Sequence, residues 1–220
     1  FKLYVGRMDS NEDSKFLKLF NQLDKMTLYK EDVIIKKKIV SKLQLSNLKA
    51  HLYKQILISL RLNPQHKNVK LHIRGQLDFA TILYQKGLYK QSLKILDKAK
   101  SFALKYNENA SAYEIVEFEK LIESLYVTRS LSNRTNELVS QTNHLKEQND
   151  IYSNLSNISL QLYEKLIKAG YAKSDNESND INEFFNHKIK SFKVEELGFR
   201  ETLIYYQIWV WYSLLIQDFL

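Results

Sequence analysis

Residues 83–99, LYQKGLYKQSLKILDKA, decide the fold. Small and aromatic residues fall in this run where a helix, a tight turn and a second helix need them. Tyr84 closes the first helix, Gly87 supplies a turn conformation that a Cβ opposes, and Tyr89 packs back across the hairpin. Ser92, Leu96 and Ala99 then share one face of the second helix at spacings of four and three, and two of the three are small enough for close helix approach. One proline and five glycines in 220 residues, with long runs of 3.6-residue periodicity on either side, make the fold class all-α. A chain of this length buries a sizeable core, as one domain or as an elongated array.

The hairpin resembles a tetratricopeptide repeat. The small residue of the repeat's first helix corresponds to Ala80, its turn glycine to Gly87 and the following aromatic to Tyr89. In the second helix the small residue corresponds to Ser92, the bulky one to Leu96 and the closing alanine to Ala99. Gln76 stands where the family usually has tryptophan, and Leu104 where it usually has proline. The match covers about residues 73–106, one period of the family. The resemblance implies antiparallel helix pairs stacked as an α-solenoid, whose concave face binds another protein or a peptide segment. It implies no catalysis and no cofactor. The groove positions it assigns are Arg74, Leu77, Thr81, Tyr84 and Gln85: Leu77 and Tyr84 as the apolar anchor, the other three as hydrogen-bond donors.

Working outward, residues 1–65 read as an N-terminal basic segment of three helices and residues 66–220 as the repeat region. The first helix starts at Asp9 or Ser10, with Glu12 and Asp13 in its first turn and an apolar stripe of Phe16, Leu17, Phe20 and Leu23. A short second helix covers about residues 31–39 and buries Val33, Ile35 and Ile39. A third runs from Lys42 or Ser46 to Leu62, with Leu48, Leu52, Ile56 and Leu60 on one face, and stops at Asn63 and Pro64. Beyond the hairpin, helices are expected over residues 110–128, 133–146, 150–169 and 181–192, and a last one from Val194 or Glu195. Residues 173–180, KSDNESND, have the composition of a surface loop. Gly170 plays the part of Gly87, 83 residues later, which fits two irregular units of about forty.

Charge is unevenly placed. The net charge is +8, yet residues 1–75 hold 16 Lys or Arg against 6 Asp or Glu, and residues 33–77 hold no acidic residue at all. Lys36, Lys37, Lys38, Lys42, Lys49, Lys54, Arg61, Lys67, Lys70 and Arg74 accumulate there. One reading is an anionic partner: Val40 and Ser41 make the turn of a helix-turn-helix, and Lys36, Lys37, Lys38, Lys42, Gln44, Asn47, Lys49 and Lys54 contact nucleic acid. The other is a helical cap for the array whose solvated surface carries a compositional bias, since Lys outnumbers Arg by 27 to 6 and Arg reads phosphate better. An anionic membrane surface is a third target for the same patch.

Residues 203–216, LIYYQIWVWYSLLI, are apolar on nearly every side, but Arg200, Glu201, Gln207 and Asp218 leave too short a run to span a membrane. A helix of this kind is packed on both sides. The expectation is therefore that the array continues past residue 220 and that Trp209 or Trp211 is exposed in this piece. No enzyme motif is present: no G-x-S-x-G, no glycine-rich phosphate loop and no cysteine. Lack of cysteine excludes disulfides and thiolate metal sites and fits a reducing, cytoplasmic setting. Glu183 and His187 lie four apart, short of the ligands a metal needs, so no metal site is expected.

Overall fold

The structure, a computed structural model, describes residues 1–7, 14–37, 39, 41–62, 68–125 and 131–218, without the side chains of residues 131 and 132. These residues form helices and no strand, and they divide into two compact units, Phe1–Asn68 and Val69–Leu220. The expected helix start at Asp9 or Ser10, the stop at Asn63 and Pro64, and the end near Thr128 lie outside the described residues.

The first unit contains α1 (Lys2–Val5), α2 (Lys15–Leu23), α3 (Glu31–Lys36) and α4 (Lys42–Arg61). Its core is Val5, Phe16, Leu19, Ile34, Leu45 and Leu52, with Phe1 and Phe20 ring to ring at 4.6 Å beside it. In α3 the buried residue is Ile34, and Val33 and Ile35 flank it half-buried. Residues two apart point to nearly opposite sides of a helix, so Val33 and Ile35 cannot both face one core. On α4 Leu45 and Leu52 are buried, while the expected Leu60 is exposed.

The second unit is a run of long helices, each packed on the one before: α5 (Val69–Gln85), α6 (Tyr89–Lys105), α7 (Asn109–Leu125) and α8 (Leu131–Ala169), followed by α9 (Asp175–Ile189) and α10 (Phe199–Ile216). Helices α5 and α6 form the hairpin read from residues 83–99. Ser92 is fully buried and its Oγ donates to the Ala80 carbonyl at 2.8 Å, while Tyr84 and Tyr89 meet with ring centroids 5.7 Å apart. Leu96, Ala99 and Ala103 continue that buried face against α7.

The first two reversals follow one rule. After α5 the Leu88 N–H donates to the Leu83 carbonyl and the Gly87 N–H to that of Tyr84, with Gly87 at φ +73°. This is the Schellman closure, which needs a residue in the left-handed region. The α6–α7 reversal repeats it: Glu108 N–H donates to Ala103, Asn107 N–H to Leu104, and Asn107 has φ 56°. Asparagine is the side chain that tolerates this region best after glycine.

Two expectations change. Residues 133–146 and 150–169 are parts of the single 39-residue α8, because nothing between Lys146 and Asp150 interrupts a helix: no proline, no glycine and no cap. The run 173–180 is mostly helix as well. Ser174 caps α9 by accepting from the Glu177 N–H, and the Glu177 carboxylate accepts from the Lys173 N–H at 2.8 Å. The spacing is that of an S-x-x-E cap, with the carboxylate bond taken one residue earlier, at Lys173, and Asp175 and Glu177 are favourably placed in the positive first turn.

Glycine substitutions separate turn from helix. Gly87→Ala should lower the stability of the second unit by about 1–2 kcal/mol through its positive φ. Gly75→Ala, inside α5 with nothing within 4 Å of the added Cβ, should raise it by about 0.5–1 kcal/mol. Urea denaturation of the two variants beside the unaltered chain reads both, and a shared sign would refute the assignment of Gly87 as a turn residue.

Candidate functional site

The groove residues named by the repeat resemblance do not all reach one surface. Leu77 is 7% exposed and packs in the core with Ile73 and Ala80, because positions 73, 77 and 80 form one helical stripe. It is a core residue and is not free to anchor a guest. Tyr84 lies on the same stripe, half-buried, and meets Tyr89 and Phe118. Thr81 donates its hydroxyl to the Leu77 carbonyl of its own helix, and Gln85 is exposed.

Arg74 is brought into a cleft of about 350 Å³. Lys70 and Arg74 of α5, the first turn of α7 with Glu108, Asn109, Ala110 and Ser111, Asn149 and Tyr152 of α8, and Arg200 and Glu201 of α10 line it. Arg74 Nη1 lies 2.8 Å from Glu114 Oε1 across α5 and α7. Glu108 stands between two cations, Lys70 at 3.7 Å and Arg200 at 3.3 Å. Arg200 also donates to the Asn107 carbonyl and the Tyr152 hydroxyl, and its guanidinium sits 4.7 Å from the Tyr152 ring centroid. Glu201 is 2% exposed, in the first turn of α10, and folds back so far that a Cβ at Gly198 would fall 2.5 Å from its Oε2. The cleft thus presents cations, carboxylates, an amide and hydroxyls where the N-terminal parts of α5, α7 and α10 meet the middle of α8. Sequence reading found Arg74 and Lys70 but not Glu108, Tyr152, Arg200 or Glu201, which lie 38 to 131 residues away along the chain from Lys70. The local signal for one of them is Asn107 followed by Glu108, a left-handed turn residue leading into a helix start.

A second polar cluster is sealed under α6, α7 and α8. Lys100 Nζ lies 2.6 Å from Glu119 Oε2, and Arg134 lies 3.3 Å from the same oxygen while also reaching Asp97 and Glu137. Gln141 accepts from Lys100 at 3.2 Å. Glu119 is 0% exposed and its other oxygen has no hydrogen-bond partner among the described residues. Burial pushes its carboxyl up to about 7, with the Lys100 bond and charge and then Arg134 pulling it down. A carboxyl at that value suits a general base, but this one is enclosed by its own ion pairs.

The basic positions of the first unit are scattered. Lys36, Lys42, Gln44, Asn47 and Lys54 are exposed, Lys37 donates to Gln22, and Lys49 donates to the Tyr29 hydroxyl and to Glu31. Lys38 and the expected turn residue Val40 lie outside the described residues. At about 100° per residue, Gln44, Asn47 and Lys54 share one flank of α4 while Lys42 and Lys49 lie on the other, so they do not form one reading face. Among the described residues no three His, Asp or Glu gather as metal ligands, and no helix is long and apolar enough to cross a membrane.

No protein-family model, no curated protein and no solved structure matches the chain. The class that the structure itself defines, over the described residues, is an all-helical protein in which α5 to α8 pack each on the next, α10 packs chiefly on α8, and α2 on α4.

The Glu119 cluster carries a pH signature. An acid protonated more readily in the folded than in the unfolded chain adds stability that is full below its ordinary value of 4.5 and is lost as pH rises to about 7. The loss assigned to this group is roughly 3 kcal/mol. Urea midpoints at pH 4.5 and 7.5 should therefore fall more in the unaltered chain than in Glu119→Gln; equal falls would exclude the shifted carboxyl.

Proposed function

We propose that this chain is a non-enzymatic helical-repeat module that holds a segment of another protein, as a scaffold or adaptor does. The observation that carries the reading is the Arg74 cleft, where three cations and two carboxylates converge from α5, α7 and α10 with amide and hydroxyl groups between them. A polypeptide segment bearing charged and hydrogen-bonding groups is the ligand class that such a lining complements. Thr81 and Gln85 extend the polar surface along α5.

A displayed random-peptide library selected on the intact chain tests it. Recovered peptides should bind about tenfold or more weakly to Arg74→Glu, a change of about 1.4 kcal/mol. Lys94→Glu, exposed on α6 away from the cleft, should leave them unaffected. Failure to recover any peptide, or equal binding by both variants, would remove the cleft as the binding site.

The acid-free run of residues 33–77 favours a second reading, a nucleic-acid-binding regulator in which residues 33–75 touch phosphate and the helical region takes the partner. With Lys42 and Lys49 on one flank of α4 and Lys54 on the other, this reading rests on charge alone. Its signature is salt: affinity for duplex DNA should drop steeply between about 50 and 200 mM salt. Absence of any gel retardation at low salt would exclude it.

A further inference from the structure

Helix α10 runs parallel to α8 in a fixed register. The Arg200 guanidinium lies over Tyr152, the rings of Trp211 and Tyr163 are 5.1 Å apart, and the Ala172 N–H donates to the Leu215 carbonyl at 2.8 Å. Tyr205, Ile208 and Leu215 face the core. On the opposite side Phe199, Leu203, Tyr206, Val210 and Leu214, at spacings of four, three, four and four, form a stripe open to solvent. A groove lined by Leu160, Tyr163, Ile204, Gln207 and Trp211 joins this stripe to the outer flank of α8, where Leu160, Tyr163 and Ile167 are also open. The eight open side chains are 36 to 67% exposed.

The geometry points to a second copy of this chain as the occupant of the α8–α10 face, in a twofold pair built on antiparallel α10 helices. Three features favour it. The first is area: with a fully exposed aromatic side chain presenting about 150–250 Å², the eight residues offer on the order of 800 Å². That is what each partner brings to a stable interface of standard size, and it exceeds the roughly 300–600 Å² patch of an ordinary monomer. The second is charge. A twofold interface sets a surface against itself, so like charges meet across the axis. In a chain of net charge +8, the stripe and groove carry no charged side chain, so copies can approach there without repulsion. The third is spacing. Reversed about a point between Tyr206 and Gln207, the stripe falls on itself: Phe199 meets the partner's Leu214, Leu203 meets Val210 of the partner subunit, and Tyr206 lies beside the axis.

Sedimentation equilibrium of the intact chain at tens of micromolar should give twice the 26.1 kDa chain mass, and the Leu203→Glu, Val210→Glu double variant should give the single mass at unchanged helicity. A second variant guards against misfolding of the first. The chain has no cysteine, so any disulfide in Tyr206→Cys must join two copies. Mild oxidation should convert it to a covalent dimer, whereas Lys190→Cys, exposed beyond the end of α9, should stay monomeric. A monomeric unaltered chain, a dimer that survives the glutamate pair, or equal cross-linking at both cysteine positions would overturn the proposal.

Discussion

The α5–α6 and α6–α7 reversals of the second unit each turn on one residue held at positive φ. Gly87 and Asn107 end α5 and α6 with the same pair of backbone bonds, so the last turn of each helix is closed at a defined residue. That closure sets the rotation at which the next helix returns. Ser92 meets the Ala80 carbonyl only in this register; a slip of one residue, about 100° around the axis, would bring Gln91 or Leu93 there instead. Neither is small enough for the approach that the buried Ser92 permits. The left-handed backbone conformation of two residues thus governs which faces of three helices become the core.

What could be read in the chain follows from where signals are local. The α5–α6 hairpin was legible because its turn, its aromatic pair and its small residues all lie within seventeen positions. The α6–α7 reversal was not, since asparagine at a helix end marks a left-handed turn less sharply than glycine. Residues 173–180 misled for a compositional reason: Ser, Asp, Asn and Glu are the residues of loops and of helix starts alike, and the S-x-x-E spacing separates the two. In the long α8 the polar middle hid continuity, because periodicity vanishes where a helix passes from one set of neighbours to another. Its N-terminal half packs with α7, and Leu155, Ile158 and Leu162 pack with α9 and α10.

The candidate cleft was least legible of all. Arg74 was named by its place in the repeat resemblance, yet the groups that give its surroundings their chemistry come from three other helices. Leu77 was misplaced for the opposite reason: its own stripe with Ile73 and Ala80 already marked it as core. The buried Glu119 shows the same limit. Along α7 Glu114 is exposed and Glu117 half-buried, but Glu119 and Glu123 lie on the inner face four apart. An ion-paired carboxylate inside a helical layer is costly to desolvate and contributes position more than stability. Here it ties α6, α7 and α8 through Lys100 and Arg134, neither of which is near it in sequence.

Helix α10 poses the sharpest choice between its two sides. Its hydrophobicity is nearly uniform around the axis, so sequence alone does not say which side turns inward. The fold turns inward the side carrying Glu201, a carboxylate at 2% exposure, and leaves five large apolar residues facing water. Half a turn of rotation would bury that stripe and release Glu201, but it would expose Tyr205, Ile208 and Leu215 in exchange, so the two orientations bury similar amounts of hydrocarbon. Arg200 bound to Asn107, Glu108 and Tyr152 at one end, and the Leu215 carbonyl bound to Ala172 at the other, hold the helix against that rotation. Trp209, 39% exposed, stays at the edge of the open side as a result. Whichever side of α10 turns inward, an apolar side is left facing water, and a second surface laid over the stripe would take that hydrocarbon out of solvent.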